Sequence, residues 1–197
     1  MGTVRGMDSG RMLGFGHKQA WLAVRDTEPG AIIAAIGLRD LGPVSWRDGL
    51  DVAYVTDDRV ILTPPLPGAR HATWVLAVGR WWLTGGAVDT VTLSRDLDTE
   101  VQYFATSRTE EWHHWERAVA GVLVRRFSFL GQSGEVTAWR GDPDATEVAL
   151  GLPTEPEDRD ILIAESDVMR VAGAWSVDPS ALDGQPAPGP LRVAAAR

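Results

Sequence analysis

Apolar and polar residues alternate with a period of two along the middle of the chain, the pattern of strands that turn one face toward a core. Four such segments follow one another with only a few turn-forming residues between them. They are residues 100–108, 111–119, 122–130 and 135–140. Short turns between consecutive strands are typical of an antiparallel meander, which we predict for this region. Further strands are predicted at residues 21–25, 51–55, 59–63 and 73–83, with 51–55 and 59–63 joined as a hairpin.

Helical signals flank these strands. A proline near the start and a glycine at the end predict a helix over residues 29–37. A second short helix is predicted at residues 92–97. Asp144 and Glu147 have the spacing of a capping box and predict a third. Ser166 precedes apolar residues at i, i+3, i+4 and i+7 spacing, which predicts a last helix that Ser166 would cap.

Together these elements predict one α+β domain over residues 1–182. We expect a single, mostly antiparallel sheet of about six to eight strands that carries three or four short helices on one face. Residues 1–16 are rich in glycine and are expected to be loose. Residues 183–197 read as a Pro/Gly-rich tail, extended or disordered, outside the domain.

Composition narrows the classes of function. The 197 residues include no cysteine, so disulfides, thiolate metal sites and a cysteine nucleophile are excluded. Of the 19 basic residues only Lys18 is a lysine, and the net charge of −8 argues against a nucleic-acid-binding surface. The first residues lack the apolar run of a secretory signal, and no stretch is long enough to cross a bilayer. We therefore expect a cytoplasmic protein without membrane contact.

The negative charge is concentrated in one segment. Between Asp142 and Asp167 nine acidic residues face one basic residue, while the rest of the chain is balanced. The loop over residues 152–160 is the centre of this segment, and a local acidic surface attracts basic partners. We predict that its acidic residues bind a basic protein partner; they are Glu155, Glu157, Asp158 and Asp160. The alternative is a solvated loop that only aids solubility.

Nine tryptophans are unusually many for a chain of this length. They can build a core, a ligand pocket or a contact surface. Trp81 and Trp82 are adjacent in a predicted strand, so their rings would point to opposite faces of the sheet. With Trp112 and Trp115 they form the predicted aromatic part of the partner-binding surface.

The segment EEWHHWER, residues 110–117, carries the densest set of candidate catalytic groups. In a strand His114 and Glu116 would share one face, about 7 Å apart, and His113 would lie on the other. Such a pair can begin a metal site or an acid–base pair, but no further ligand has a suitable position, so neither metal nor cofactor is predicted. Either these residues form cross-strand pairs, or His113, His114 and Glu116 are the polar groups of a tryptophan-lined pocket.

The stretch Gly14-Phe-Gly-His-Lys18 resembles a phosphate-binding loop only superficially. A phosphate loop follows a buried strand, and its lysine is followed by Ser or Thr. No strand is predicted before this stretch, and Gln19 follows the lysine. No phosphate loop is therefore predicted.

Residues 91–144 resemble a family through the segments TLSRDLDTEVQYF, WERAVAGVLVRRFSF and EVTAWRGDPD. Uncharacterised bacterial α+β proteins have the same order of elements. It is a short helix with Leu-Ser, then strands with Trp and Arg, then an acidic residue and a proline that lead into a helix. Some of these proteins are found beside toxins and are assigned as immunity proteins. The resemblance covers about a quarter of the chain and implies a binding role.

We therefore predict a non-enzymatic binding protein of immunity type, with a basic protein such as a toxin as its partner. No residue is predicted to be catalytic under this hypothesis. The alternative is a small-molecule enzyme or ligand-binding protein that uses the histidine and glutamate residues of the EEWHHWER segment.

Overall fold

The computed structural model describes residues 10–84, 89–156 and 162–196. Among these residues the strands are β1 Ala20–Arg25, β2 Arg39–Val44, β3 Arg59–Leu62, β4 Leu66–Pro67, β5 Thr73–Val78, β6 Glu100–Ser107, β7 Trp112–Val119, β8 Val122–Leu130, β9 Glu135–Arg140 and β10 Leu191–Ala195. The helices are α1 Pro29–Ile36, α2 Trp46–Val55, α3 Trp81–Thr84, α4 Thr90–Asp96, α5 Ala145–Ala149 and α6 Glu165–Trp175. Within the described ranges, no helix is both long and apolar enough to cross a membrane.

All the described strands belong to one antiparallel sheet with the order β2-β10-β3-β5-β1-β6-β7-β8-β9, and β4 pairs with β5. The predicted α+β class is confirmed. The predicted meander is present as β6 to β9, and each of these strands pairs with the next. Local alternation and short turns are sufficient to specify this part, because each strand meets its neighbour in the sequence.

Helices cover both faces of the sheet, whereas the sequence prediction places three or four on one face. Helices α2 and α6 pack on one face, where the strands contribute residues such as Trp21 and Phe104. Helices α1, α3 and α4 pack on the other, against residues such as Leu22 and Val24. The central strands carry large apolar side chains on both faces, and both faces must therefore be covered.

The C-terminal segment corrects the predicted tail. Strand β10 lies between β2 and β3 and pairs with both of them, so residues 191–195 are inside the sheet. The described part of the predicted loose N-terminus is also packed, with Met12 and Phe15 in the core. The N-terminal and C-terminal segments are in contact, and the N–H of Met12 donates to the carbonyl of Gln185 at 2.8 Å.

The predicted strand over residues 51–55 is wrong, because these residues are the second half of α2. Ser45 caps this helix by accepting a hydrogen bond from the N–H of Asp48 at 3.1 Å. Trp46, Leu50 and Ala53 then lie on its buried face. The alternation of apolar residues in the last turn resembles that of a strand. The N-cap and the helical spacing of Trp46, Leu50 and Ala53 favour a helix instead.

The predicted capping box of Asp144 and Glu147 is confirmed at the start of α5. Helix α6, by contrast, begins one residue before the predicted cap Ser166. Its N-terminus is satisfied by Asp167, whose carboxylate accepts the N–H of Ala164 at 2.7 Å. Glu165, in the first turn of α6, bonds to other segments.

Candidate functional site

Strand β7 contains most of the EEWHHWER segment, and its side chains alternate between the two faces of the sheet as predicted. Glu116 and His114 lie on the face that α4 covers, where both are buried. His113 is buried too, but it lies beside Trp115 on the opposite face. The three polar groups of the predicted pocket are therefore divided by the sheet and do not form one site.

Glu116 is held by three side chains. The hydroxyl of Thr90 donates to it, Arg126 donates through Nε and Nη2, and His114 Nε2 lies 3.5 Å from its Oε2. Burial would raise the pKa of Glu116, but the contacts with His114, Arg126 and Thr90 lower it to about 2. The carboxylate stays ionised at neutral pH and joins α4 to β7 and β8. This arrangement is structural rather than that of a general acid.

None of the nine tryptophans, all of which are described, is exposed. Trp82 and Trp115 are buried, and Trp81 and Trp112 are partly buried. Strand β5 ends before Trp81, so Trp81 and Trp82 lie in α3 with their rings 4.7 Å apart on the same face. The predicted exposed aromatic surface is therefore wrong for Trp82 and Trp115, because helices cover both faces.

Much of the acidic segment is neutralised by ion pairs. Four of its nine acidic residues pair with arginines: Asp144 with Arg117, Glu147 with Arg125, Glu165 with Arg108, and Asp167 with Arg170. Glu155 is exposed. The other predicted binding residues, Glu157, Asp158 and Asp160, lie outside the described residues.

A different feature brings cationic side chains together at one end of the sheet. A cleft of about 500 Å³ lies where β1 begins and β6 ends. Its lining comes from four separate segments and comprises Lys18, Tyr54, Arg80, Leu83, Thr106, Ser107, Arg108 and Thr109. We call this feature the cationic cleft.

Glu165 holds the backbone of Lys18 and the guanidinium group of Arg108. Its carboxylate accepts the backbone N–H of Lys18 at 2.9 Å, the hydroxyl of Thr106 at 2.6 Å and Nε of Arg108 at 2.7 Å. Burial would raise the pKa of Glu165, but the bonds from Thr106, Lys18 and Arg108 lower it to about 2. Lys18 is fixed with a φ of 53°, a backbone conformation that few non-glycine residues adopt. One ionised carboxylate thus connects α6, β6 and the segment before β1.

Arg108 and Lys18 retain hydrogen-bond donors that no contact within the described residues uses. Arg108 contacts Glu165 through Nε only, so this ion pair does not use its terminal amino groups. Arg80 is paired with Asp57, with Nε and Oδ1 3.2 Å apart, and its side chain is 44% exposed. Within the described residues, the ammonium group of Lys18 has no carboxylate partner. The cleft can therefore accept an anion from solvent.

The sequence contains only a faint signal for this cleft. Lys18 is the single lysine of the chain, and its GFGHK segment lies just before β1. Arg80 and Arg108 stand far from it in the sequence and have no motif around them. Among the described residues, no cluster of three or more His, Asp and Glu side chains could hold a metal ion.

Glu165 is the residue of this site that sequence reasoning missed most clearly. It counts as one acid among nine in the sequence, whereas in the structure it accepts hydrogen bonds from the backbone of Lys18, the hydroxyl of Thr106 and the guanidinium group of Arg108. Comparison of the chain with protein-family models, with curated proteins and with solved structures finds no match.

Proposed function

We propose that this protein binds a small anionic ligand in the cationic cleft. The observation that carries the proposal is the convergence of Lys18, Arg80 and Arg108 on one cleft of a chain with a net charge of −8. Arg80 and Arg108 are each paired with one carboxylate, whereas the ammonium group of Lys18 has none within the described residues, so the cleft keeps an unbalanced positive charge. A local positive site in an acidic protein attracts anions from solution. A bound anion would balance the charge of Lys18.

The chemistry of the cleft favours a carboxylate or a phosphate group. A guanidinium group offers N–H donors in a planar fork that matches the oxygens of both anions. The hydroxyls of Ser107 and Thr109 line the same cleft and make no hydrogen bond within the described residues. They add neutral donors or acceptors around the bound anion.

We expect Arg108→Ala to weaken the binding of inorganic phosphate by about tenfold or more, since a hydrogen bond to a charged group contributes about 1.5–3 kcal/mol. Lys18→Ala should weaken it as well. Isothermal titration calorimetry at low ionic strength measures both affinities.

Arg192→Ala is the matched control, because Arg192 also donates Nε to a carboxylate at 2.7 Å but lies on β10, outside the cleft. This variant should bind phosphate as tightly as the unchanged protein. Equal weakening in the Arg108 and Arg192 variants, or no saturable phosphate binding at low salt, contradicts the proposal.

A second candidate is the binding of a basic protein through the acidic segment, in the manner of a toxin-neutralising protein. It is favoured by two exposed apolar side chains in this segment, Val148 at 54% and Leu162 at 93%. Glu155 is also exposed, and Glu157 follows it in the sequence. Apolar groups among acidic ones are typical of a surface that binds an apolar and basic partner.

Replacement of the four loop acids by alanine tests the second candidate, and the set is Glu155, Glu157, Asp158 and Asp160. We expect a slower association with the partner recovered by affinity purification, most strongly at low salt, because charge steering accelerates encounter. A variant with four exposed acids elsewhere replaced by alanine is the control; these are Glu28, Asp51, Asp96 and Glu135. Association rates that are independent of salt would exclude the charge argument.

A further inference from the structure

A second cleft adjoins the cationic cleft. It measures about 390 Å³ and is lined by Leu83, Ser107, Glu110 and Trp112. Leu83 and Ser107 line both clefts, so the two are neighbours at the end of β6. We call this second feature the Trp112 cleft.

The indole of Trp112 is held in place as one wall of this cleft. Its Nε1 donates to the hydroxyl of Ser128 at 2.7 Å, and its ring lies 5.6 Å from that of His114. The side chain is nevertheless only partly buried. A fixed, partly exposed aromatic ring beside the apolar side chain of Leu83 is a surface on which another flat ring can stack at little entropic cost.

The strand register places the two clefts around the end of the sheet rather than on one face. Ser107 and Trp112 are direct partners across β6 and β7, so their side chains share one face, whereas Thr106 and Arg108 bond to Glu165 of α6 on the other. The two clefts meet past Ser107, which lines both. A ligand with an anionic group and a ring can occupy both clefts if its linker bends around the end of β6.

Glu110 adds a third requirement for the ligand, besides the anionic group and the ring. Its exposed carboxylate lines the Trp112 cleft and has no hydrogen-bond or ion-pair partner within the described ranges. A carboxylate in this position accepts hydrogen bonds and repels a second anionic group. It therefore favours a ring that carries N–H donors, at the end of the ligand away from the anion.

We propose that the ligand is an aromatic anion, with its phosphate or carboxylate in the cationic cleft and a donor-bearing ring against Trp112. This inference rests on the proposed anion-binding function and specifies the rest of the ligand. A purine nucleoside monophosphate has all three features, and adenosine 5′-monophosphate is a suitable probe of the class.

The test compares three probes by calorimetry, namely adenosine 5′-monophosphate, adenosine and inorganic phosphate. We expect the nucleotide to bind on the order of tenfold more tightly than inorganic phosphate, because the stacking of a base on an aromatic side chain contributes that much. Trp112→Leu should remove this advantage and leave the affinity for phosphate unchanged.

Trp112→Phe is the matched control. It loses the same hydrogen bond to Ser128 as Trp112→Leu but keeps an aromatic ring, so it should retain most of the nucleotide's advantage. Thermal melts of both variants confirm that each is folded at the temperature of the titration.

The outcomes separate this inference from the function on which it rests. Equal affinities for the nucleotide and for phosphate, or a nucleotide advantage that survives Trp112→Leu, would overturn the aromatic ligand and leave anion binding intact. Absence of phosphate binding to the unchanged protein contradicts the anion-binding function and, with it, the aromatic ligand.

Discussion

Removal of residues 191–197 is expected to prevent folding. Strand β10 pairs with β3 on one side and with β2 on the other, and no other described strand pairs with β2. Deletion would separate β2 from the sheet and remove the buried side chains of Leu191, Ala194 and Ala195. Each buried backbone group left without a partner costs about 1–3 kcal/mol, and several such groups exceed the 5–15 kcal/mol by which a typical domain is stable.

Circular dichroism and a two-dimensional amide NMR spectrum measure this effect. The shortened chain should lose its cooperative thermal transition and the dispersion of its amide signals. Arg192→Ala is the control, because it changes an exposed side chain of the same strand and removes only its ion pair with Asp40, an interaction worth about 0–1 kcal/mol. A shortened chain that melts like the full one would show that β10 is dispensable.

The position of β10 explains why this strand was not predicted. The strand has only five residues, LRVAA, which directly follow a Pro/Gly-rich stretch. They show no clear alternation of polar and apolar residues. Its partners β2 and β3 lie more than a hundred residues earlier in the chain. The meander β6 to β9 was predictable because each strand is long, alternates and meets its neighbour across a short turn.

The same distinction applies to the candidate site. The faces of His113 and His114 follow from the period of one strand, and the structure confirms them. The cationic cleft draws its side chains from four segments, and their approach depends on the order of strands in the sheet. Glu165 illustrates the limit, since its role depends on contacts with Lys18 and Arg108 that no local pattern encodes.

Glu147→Ala is expected to destabilise the protein by about 3–5 kcal/mol, because it leaves the charge of a buried arginine without its partner. Arg125 is 1% exposed, and its Nε lies 3.0 Å from Oε1 of Glu147, which is fully buried. The same oxygen accepts the indole N–H of Trp115 at 2.9 Å. The guanidinium group of Arg125 also stacks on Trp139, 4.2 Å from the ring centre, and is held inside the protein.

Urea denaturation gives the change in unfolding free energy, and two further variants identify its cause. Asp40→Ala removes a carboxylate that also accepts Nε of an arginine at 2.7 Å, but at the surface, so its loss should cost about 0–1 kcal/mol. The double variant Arg125→Met/Glu147→Leu removes both buried charges and should recover much of the stability lost in Glu147→Ala, because no unpaired charge remains. Equal losses in the Glu147 and Asp40 variants would mean that the buried pair contributes no more than a surface pair. A double variant as unstable as Glu147→Ala would assign the loss to the packing and to the capping of α5 rather than to the stranded charge of Arg125.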